Sequence, residues 1–277
     1  MFRKAIAVLL VALIAGAASA QAPARLRWQT GQVLLYKVEQ STAATEVVGE
    51  NKVETTTKLN LTKRWQVLAV DAAGVATLQH SLVALRLETV TPGGETVLFD
   101  SANPDKSTPA LKETLEKFVG TPLAVLRIDA LGRVLEVKES KFGPASSFEN
   151  EPPFVGVLSG DGPQAGQAWD RTYNLTLDPP RGAGEKYPAV QHYVCKSLAN
   201  GMAVVTLTTE LKKQPEALAD RVPLLQLQPE GEIVYDLNAG RLHSATLKFV
   251  RELKNHQGEN SSARFTSSYV EQYAGDR

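Results

Sequence analysis

Residues 205–211 read VTLTTEL, and this stretch decides the fold class. Its odd positions carry Val, Leu, Thr and Leu, while its even positions carry Thr, Thr and Glu. Side chains of a β-strand point alternately to opposite faces, so this pattern is typical of a strand with one buried and one solvated face. Residues 245–249 repeat it, and so do the aromatic positions Phe265, Tyr269 and Tyr273. Such one-sided strands indicate antiparallel sheets.

Turn signals separate long strands on both sides of this stretch. A Gly-Glu-Asn turn lies between residues 33–48 and 52–70, and Asn200-Gly201 is typical of a tight hairpin. The parity of the apolar residues changes between Leu82 and Val83, which predicts a β-bulge. We therefore predict a mainly β protein, in which long antiparallel hairpins form curved sheets or a half-barrel.

One helix is predicted within residues 108–119. Thr108 is a suitable capping residue, Pro109 suits the first helical position, and Gly120 ends the segment. A second, shorter helix is allowed at residues 216–221. The first helix is expected to cover the sheet through an apolar stripe made of Leu111, Leu115, Phe118 and Val119.

The chain divides into two related β-rich halves, residues 21–142 and 166–277, joined by a linker at 143–165 that is rich in Gly, Pro and Ser. Each half opens on Gly-Gln, at Gly31 and Gly166, and later reaches an Asp-turn-Gly-Arg sequence. These parallels favour an internal duplication, although β-proteins also reuse the same turn chemistry. One continuous domain is the alternative to two.

The first twenty residues predict export. Arg3 and Lys4 precede the apolar run AIAVLLVALIAGA, and Ala18-Ser19-Ala20 provides a small-residue cleavage site, so residues 1–20 form a signal peptide. The apolar run is too short for a permanent membrane anchor. Cys195 is the single cysteine, so no intramolecular disulfide forms, which favours a bacterial envelope. We predict a periplasmic or secreted protein with no integral membrane span in its mature chain.

Composition and motifs exclude several functions. The 30 basic and 30 acidic residues give zero formal net charge, which argues against nucleic-acid binding. No hydrolase, zinc-protease or nucleotide-loop motif is present. The four histidines are isolated, and Asp71, Asp129 and Asp236 each begin a turn that explains the carboxylate. We therefore predict no catalytic residues, no metal site and no cofactor.

Aromatic residues are the remaining candidates for a site. A curved sheet could present them on its concave face as an apolar ligand site, or they could form the ordinary core. The candidate ligand-binding residues are Trp65, Trp169, Tyr173, Tyr193, Phe249 and Tyr269.

Several short motifs resemble an uncharacterised family of secreted, β-rich proteins common in planctomycete-type bacteria. The resemblance implies export and a β-rich layout, but no activity. A looser, fold-level similarity links long curved hairpins crossed by a helix to the half-barrel of periplasmic lipoprotein carriers. The motifs are Leu26-Arg27-Trp28, Gly31-Gln32, Tyr36–Gln40, Asp71–Val75, Ile128–Val137, Gly166–Trp169 and Val234–Arg241.

These observations favour an exported, non-enzymatic envelope protein that binds a hydrophobic ligand, a lipid or lipopeptide, or a lipoprotein segment, on a concave sheet. The alternative is a structural component that interacts with another envelope protein through sheet surfaces or edges. A hydrolase with dispersed catalytic residues ranks third.

Overall fold

A computed structural model describes residues 24–149, 156–179 and 182–276, so the predicted signal peptide lies outside the described residues. Twelve strands dominate the chain, and helical segments are short. A 3₁₀ turn follows β4, another follows α1, and a longer 3₁₀ segment precedes β10. The strands are β1 (Val33–Val48), β2 (Asn51–Val70), β3 (Ala76–Val90), β4 (Thr96–Asp100), β5 (Pro122–Ile128), β6 (Val134–Ser140), β7 (Ala168–Leu177), β8 (Glu185–Ala199), β9 (Met202–Leu211), β10 (Glu230–Asp236), β11 (Arg241–Lys254) and β12 (Ser261–Asp276). The helical segments are Pro104–Lys106, α1 (Pro109–Leu115), Glu116–Phe118, α2 (Ser146–Glu149) and Ala219–Leu227.

All twelve strands belong to one antiparallel sheet, which confirms the mainly β prediction. The strand order is β6-β5-β3-β2-β1-β12-β11-β10-β9-β8-β7, and β4 pairs with β3 beside β5. The first strand pairs with the last, from Leu34 opposite Asp276 to Val48 opposite Ser261. Strands from residues 21–142 and from residues 166–277 therefore meet at the centre of the same sheet.

The sheet is strongly curved. This follows from strands that lie far apart in its order but contribute residues to the same hydrophobic core. Leu126 and Ile128 of β5 belong to the same hydrophobic cluster as Tyr193 of β8 and Val205 of β9. In β1, Leu34, Tyr36 and Val38 face this concave side and are buried. The positions between and after them, Lys37, Glu39 and Ser41, are polar and exposed on the convex side, in agreement with the predicted alternation.

A β-bulge lies where the sequence predicts it. Thr62 of β2 pairs with Ala84 of β3, while the next residue, Lys63, pairs with Leu82, which leaves Val83 as the extra residue. The bulge allows Leu82 and Leu85 both to be buried, although they are three residues apart.

The helical predictions are correct in place but not in every detail. Residues 109–118 are helical, and the predicted apolar stripe, which ends on the extended residue Val119, packs partly buried against the core. The Thr108 hydroxyl does not cap this helix, because it accepts the Leu98 N–H of β4 at 3.1 Å. The second helix is displaced to Ala219–Leu227 and has 3₁₀ geometry. It includes Pro223, which lacks the N–H that an α-helix would need.

Two extended segments close one end of the concave side. The Leu26 N–H donates to the Ala130 carbonyl in the β5–β6 turn, and the Arg27 N–H donates to the Gly240 carbonyl in the β10–β11 turn. The N-terminal segment therefore connects turns from the two sides of the curved sheet.

The second closing segment falls inside the predicted linker. Leu158 is 1% exposed, and its N–H donates to the Leu131 carbonyl. A Cβ on Gly156 would overlap the Tyr235 hydroxyl and lie 2.7 Å from Ile233 Cδ1, so a larger residue would require these two buried side chains to move. Residues 156–159 are thus part of the core rather than a solvated connection.

Candidate functional site

An apolar cavity of about 340 Å³ lies on the concave side, away from the closed end. Its floor is the sheet, and its cover is residues 219–227, which we call the strap. The cavity draws on β1, β2, β7, β11, β12 and the strap region, so strands of both halves build it. The lining residues are Val38, Gln40, Leu59, Leu61, Lys63, Tyr173, Leu175, Gln226, Leu227, Pro229, Leu247, Phe249 and Tyr269.

The sheet register places these side chains in rows. Leu59, Gln40 and Tyr269 are opposite one another on β2, β1 and β12, and Leu247 of β11 continues the row. Each of these residues has the parity that faces the concave side. The cavity floor is therefore set by strand alternation and by the pairing of β1 with β12.

A buried charged cluster lies at the cavity wall. The Lys63 ammonium donates to the Tyr269 hydroxyl at 3.1 Å, and that hydroxyl donates to Glu271 Oε2 at 2.5 Å. Lys63 Nζ is 3.6 Å from the same carboxylate oxygen, and both side chains are almost fully buried. Burial raises the pKa of Tyr269 well above its ordinary value, so the phenol stays protonated and can donate.

Tyr173 completes the wall on β7. Burial raises the pKa of Tyr173 to about 12, despite the guanidinium of Arg171, which lies 5.1 Å from the ring centroid. The phenol is therefore neutral across the physiological pH range. Apart from Lys63, the lining residues named above carry no formal charge at neutral pH.

Three of the six candidate aromatics, Tyr173, Phe249 and Tyr269, line the cavity. The other three lie elsewhere in the core. Trp65 is 1% exposed and stacks on His80 with ring centroids 4.2 Å apart. Trp169 stacks on Tyr193 at 5.6 Å, and its indole N–H donates to the Val157 carbonyl in the closing segment. The structure therefore does not bring all six together.

The aromatic pattern missed the aliphatic and charged part of the lining. Leu59, Leu61 and Lys63 occupy alternate positions of β2 together with Trp65. This alternation could have predicted that all of them lie on the inward face of the sheet. A lysine at an inward position of a strand is unusual, because a charged group is rarely buried unless it is paired. The sequence of the strap contains no comparable pattern that predicts its position over the cavity.

Groups with reactive chemistry elsewhere lie apart from this cavity. On β8, Cys195 is buried and His192 is partly exposed on the opposite face. Burial raises the pKa of the Cys195 thiol, which reduces its reactivity. In the described part of the chain, no group of three or more His, Cys, Asp or Glu residues could hold a metal ion.

The predicted turn carboxylates are confirmed as structural. Asp71 Oδ1 accepts the N–H groups of Ala73 and Val75, and Asp129 Oδ1 accepts those of Leu131 and Arg133. Asp236 similarly accepts the Ala239 N–H.

Within the described ranges, every helical segment is too short or too polar to span a membrane.

Comparisons with known proteins add little to this geometry. No protein-family model and no curated protein sequence matches the chain. One similar solved structure, described as lipid-protein interactions in lipovitellin, is 14% identical over 91% of this chain, with a TM-score of 0.48. The chain spans only 26% of that lipovitellin chain. DynF, from the dynemicin biosynthesis pathway of Micromonospora chersina, is 10% identical over 92% of this chain and 88% of its own, with a TM-score of 0.24. Function is therefore inferred from the cavity itself.

Proposed function

We propose that the protein binds the hydrocarbon chain of an amphiphile in the concave cavity, and that it acts in the cell envelope as an exported, non-enzymatic carrier. The observation that carries the proposal is a cavity of about 340 Å³ with an almost entirely apolar lining. Small-molecule sites in proteins typically measure about 300–1,000 Å³ and combine apolar walls with a few polar groups. This cavity has that size and composition.

The Lys63–Tyr269–Glu271 cluster supports binding more than folding. A buried ion pair adds little to stability, since the cost of desolvating two charges offsets their attraction. Its position at the wall instead limits how far a hydrocarbon can extend and supplies polar atoms near the chain end.

The affinity of such a site depends on chain length. Each methylene moved from water into an apolar site contributes about 0.8 kcal/mol, and a tenfold change in affinity takes about 1.4 kcal/mol. We therefore expect lysophosphatidylcholines to bind about fourfold more tightly per added methylene, until the cavity is filled and the increase stops. Displacement of a fluorescent fatty-acid probe measures this series.

A matched pair of variants tests the location. Leu59 lines the cavity, whereas its neighbour Asn60 is exposed on the convex face of the same strand. Leu59→Trp fills the cavity and should weaken lysophosphatidylcholine binding by about tenfold, while Asn60→Trp should change it by less than about twofold. Circular dichroism verifies that both variants fold.

Native mass spectrometry of the mature protein from its own envelope, followed by lipid extraction, tests whether a ligand is carried. A lipid or lipopeptide at near-stoichiometric level supports the proposal. The proposal is wrong if the protein carries no amphiphile and also shows no chain-length dependence. Equal loss of binding in both tryptophan variants would place any binding outside this cavity.

A further inference from the structure

A second cavity, of about 500 Å³, lies on the other side of the strap. It is formed over the outer parts of β1, β2 and β12, towards the tips of the long hairpins. Gln226 belongs to the lining of both cavities, so the two meet beneath the strap. The residues that line the second cavity are Ala44, Thr45, Glu46, Val53, Thr55, Val222, Pro223, Leu225, Gln226, Ala263, Arg264 and Phe265.

The apolar floor is continuous from one cavity to the other. Phe249 of β11 lines the first cavity and Phe265 of β12 lines the second, and their rings are in edge-to-face contact with centroids 6.3 Å apart. The strap above is divided in the same way, with Leu227 facing the first cavity and Leu225 facing the second. One apolar trough is therefore crossed by a strap, with one compartment on each side.

The compartments differ in polarity. The first is bounded by the Lys63–Tyr269–Glu271 cluster and is otherwise uncharged. The second includes Glu46 and Arg264, so charges of both signs border it. Glu46 is held in place by His256, because Glu46 Oε1 accepts a hydrogen bond from His256 Nε2 at 3.1 Å.

We propose that the ligand is a two-chain amphiphile, with one hydrocarbon chain in each compartment and the polar junction of the chains beside Gln226. This inference rests on the proposed function, since it assigns a second chain to a ligand whose first chain fills the inner cavity. Gln226 is the polar side chain common to both linings, and its amide can bond to the ester groups that join two chains. The mixed charges at the outer compartment fit a zwitterionic or uncharged head group.

The experiment compares phosphatidylcholine carrying two lauroyl chains with lysophosphatidylcholine carrying one. The wild-type protein should bind one two-chain molecule, at least about tenfold more tightly than the one-chain molecule. Val53 lines the outer compartment and is 46% exposed, so Val53→Trp should fill that compartment without disturbing the core. Thr56→Trp, on the opposite face of the same strand, is the matched control.

Val53→Trp should weaken binding of the two-chain lipid by about tenfold and change binding of the one-chain lipid by less than about twofold. Thr56→Trp should change neither. The two-chain inference is overturned, with the proposed function intact, if the one-chain lipid binds as tightly as the two-chain lipid. Native mass spectra showing two one-chain molecules per protein would overturn it in the same way. If the wild-type protein binds neither lipid, both proposals fail.

Discussion

At the scale of single residues, His192 makes a well-defined charged contact on the convex face. His192 lies between two carboxylates, with Nδ1 2.8 Å from Asp170 Oδ1 and Nε2 3.2 Å from Glu210 Oε1. Only the imidazolium form can donate to both. These hydrogen bonds, above all the one that Asp170 accepts, raise the pKa of His192 above its ordinary value of 6.5.

This contact predicts a small pH dependence of stability. Because the pKa of His192 is higher in the folded than in the unfolded protein, its contribution is complete below the unfolded pKa and is lost as pH rises through the folded pKa. His192→Gln should therefore lower the free energy of unfolding below about pH 6 more than at pH 8. Urea denaturation at both pH values measures the difference, which salt should reduce because the side chain is 41% exposed.

NMR titration provides the control for this pair. Asp170→Asn should lower the pKa of His192, whereas Glu232→Gln, which removes a convex-face carboxylate paired with Lys196, should leave it unchanged. A His192 pKa that does not respond to Asp170→Asn would contradict the assignment.

At the scale of the element, the bulge in β3 decides which residues face the core. Val83 is the unpaired residue and is 41% exposed, whereas Leu82 and Leu85 on either side are buried. A strand without the extra residue would keep both leucines facing inward, because Ala84 would then alternate regularly between them.

Deletion of Val83 should therefore be tolerated, with a loss of about 2 kcal/mol or less in the free energy of unfolding. Deletion of Gln79, in the regular part of the same strand, should prevent folding. The strand residues on one side of the deletion would then point to the opposite face of the sheet. Chemical denaturation and the dispersion of NMR spectra distinguish the two variants. Equal destabilisation by the two deletions would show that the bulge is needed for the curvature of the sheet.

The sequence could predict elements of this kind because their signals are local. Alternation gave the faces of β9 and β11, a change of parity gave the bulge, and Asn-Gly gave a hairpin whose two residues both have positive φ. The odd or even position of a residue in a strand predicts which face of the sheet its side chain lies on, but not how far along the sheet it lies. Phe249 and Tyr193 both point inward, yet only Phe249 reaches the cavity. The place of the strap was not predictable, since it depends on tertiary contacts with β7, β11 and β12 that no local pattern reveals.

At the scale of the whole molecule, the parts before and after residues 143–165 are joined at the centre of the sheet. β1 pairs with β2 on one side and with β12 on the other, along nearly its full length. The Leu158 N–H bond to the Leu131 carbonyl also anchors the connecting segment to the first part. The covalent connection is therefore a minor part of what holds the two parts together.

We expect a single cut in the connecting segment to leave the two fragments associated. A protease site inserted between Gln164 and Ala165, both exposed, gives a defined nick, and the uncut protein with the same insertion is the control. The nicked protein should elute from a size-exclusion column as one species of unchanged size and separate only in denaturant. Two folded fragments that elute independently would instead indicate autonomous domains.

The pairing of the first strand with the last also determines when the molecule can fold. Leu34 lies opposite Asp276, so the central strand pair joins residues at the two ends of the described chain. Contacts of such high sequence separation slow folding, because the ends of a long loop must meet before the contact is formed. Until β12 has been synthesised, β1 has only one of its two neighbours and presents an open edge. A strand edge that stays unpaired for this long can pair with another chain, so the order of synthesis makes the incomplete molecule prone to aggregation.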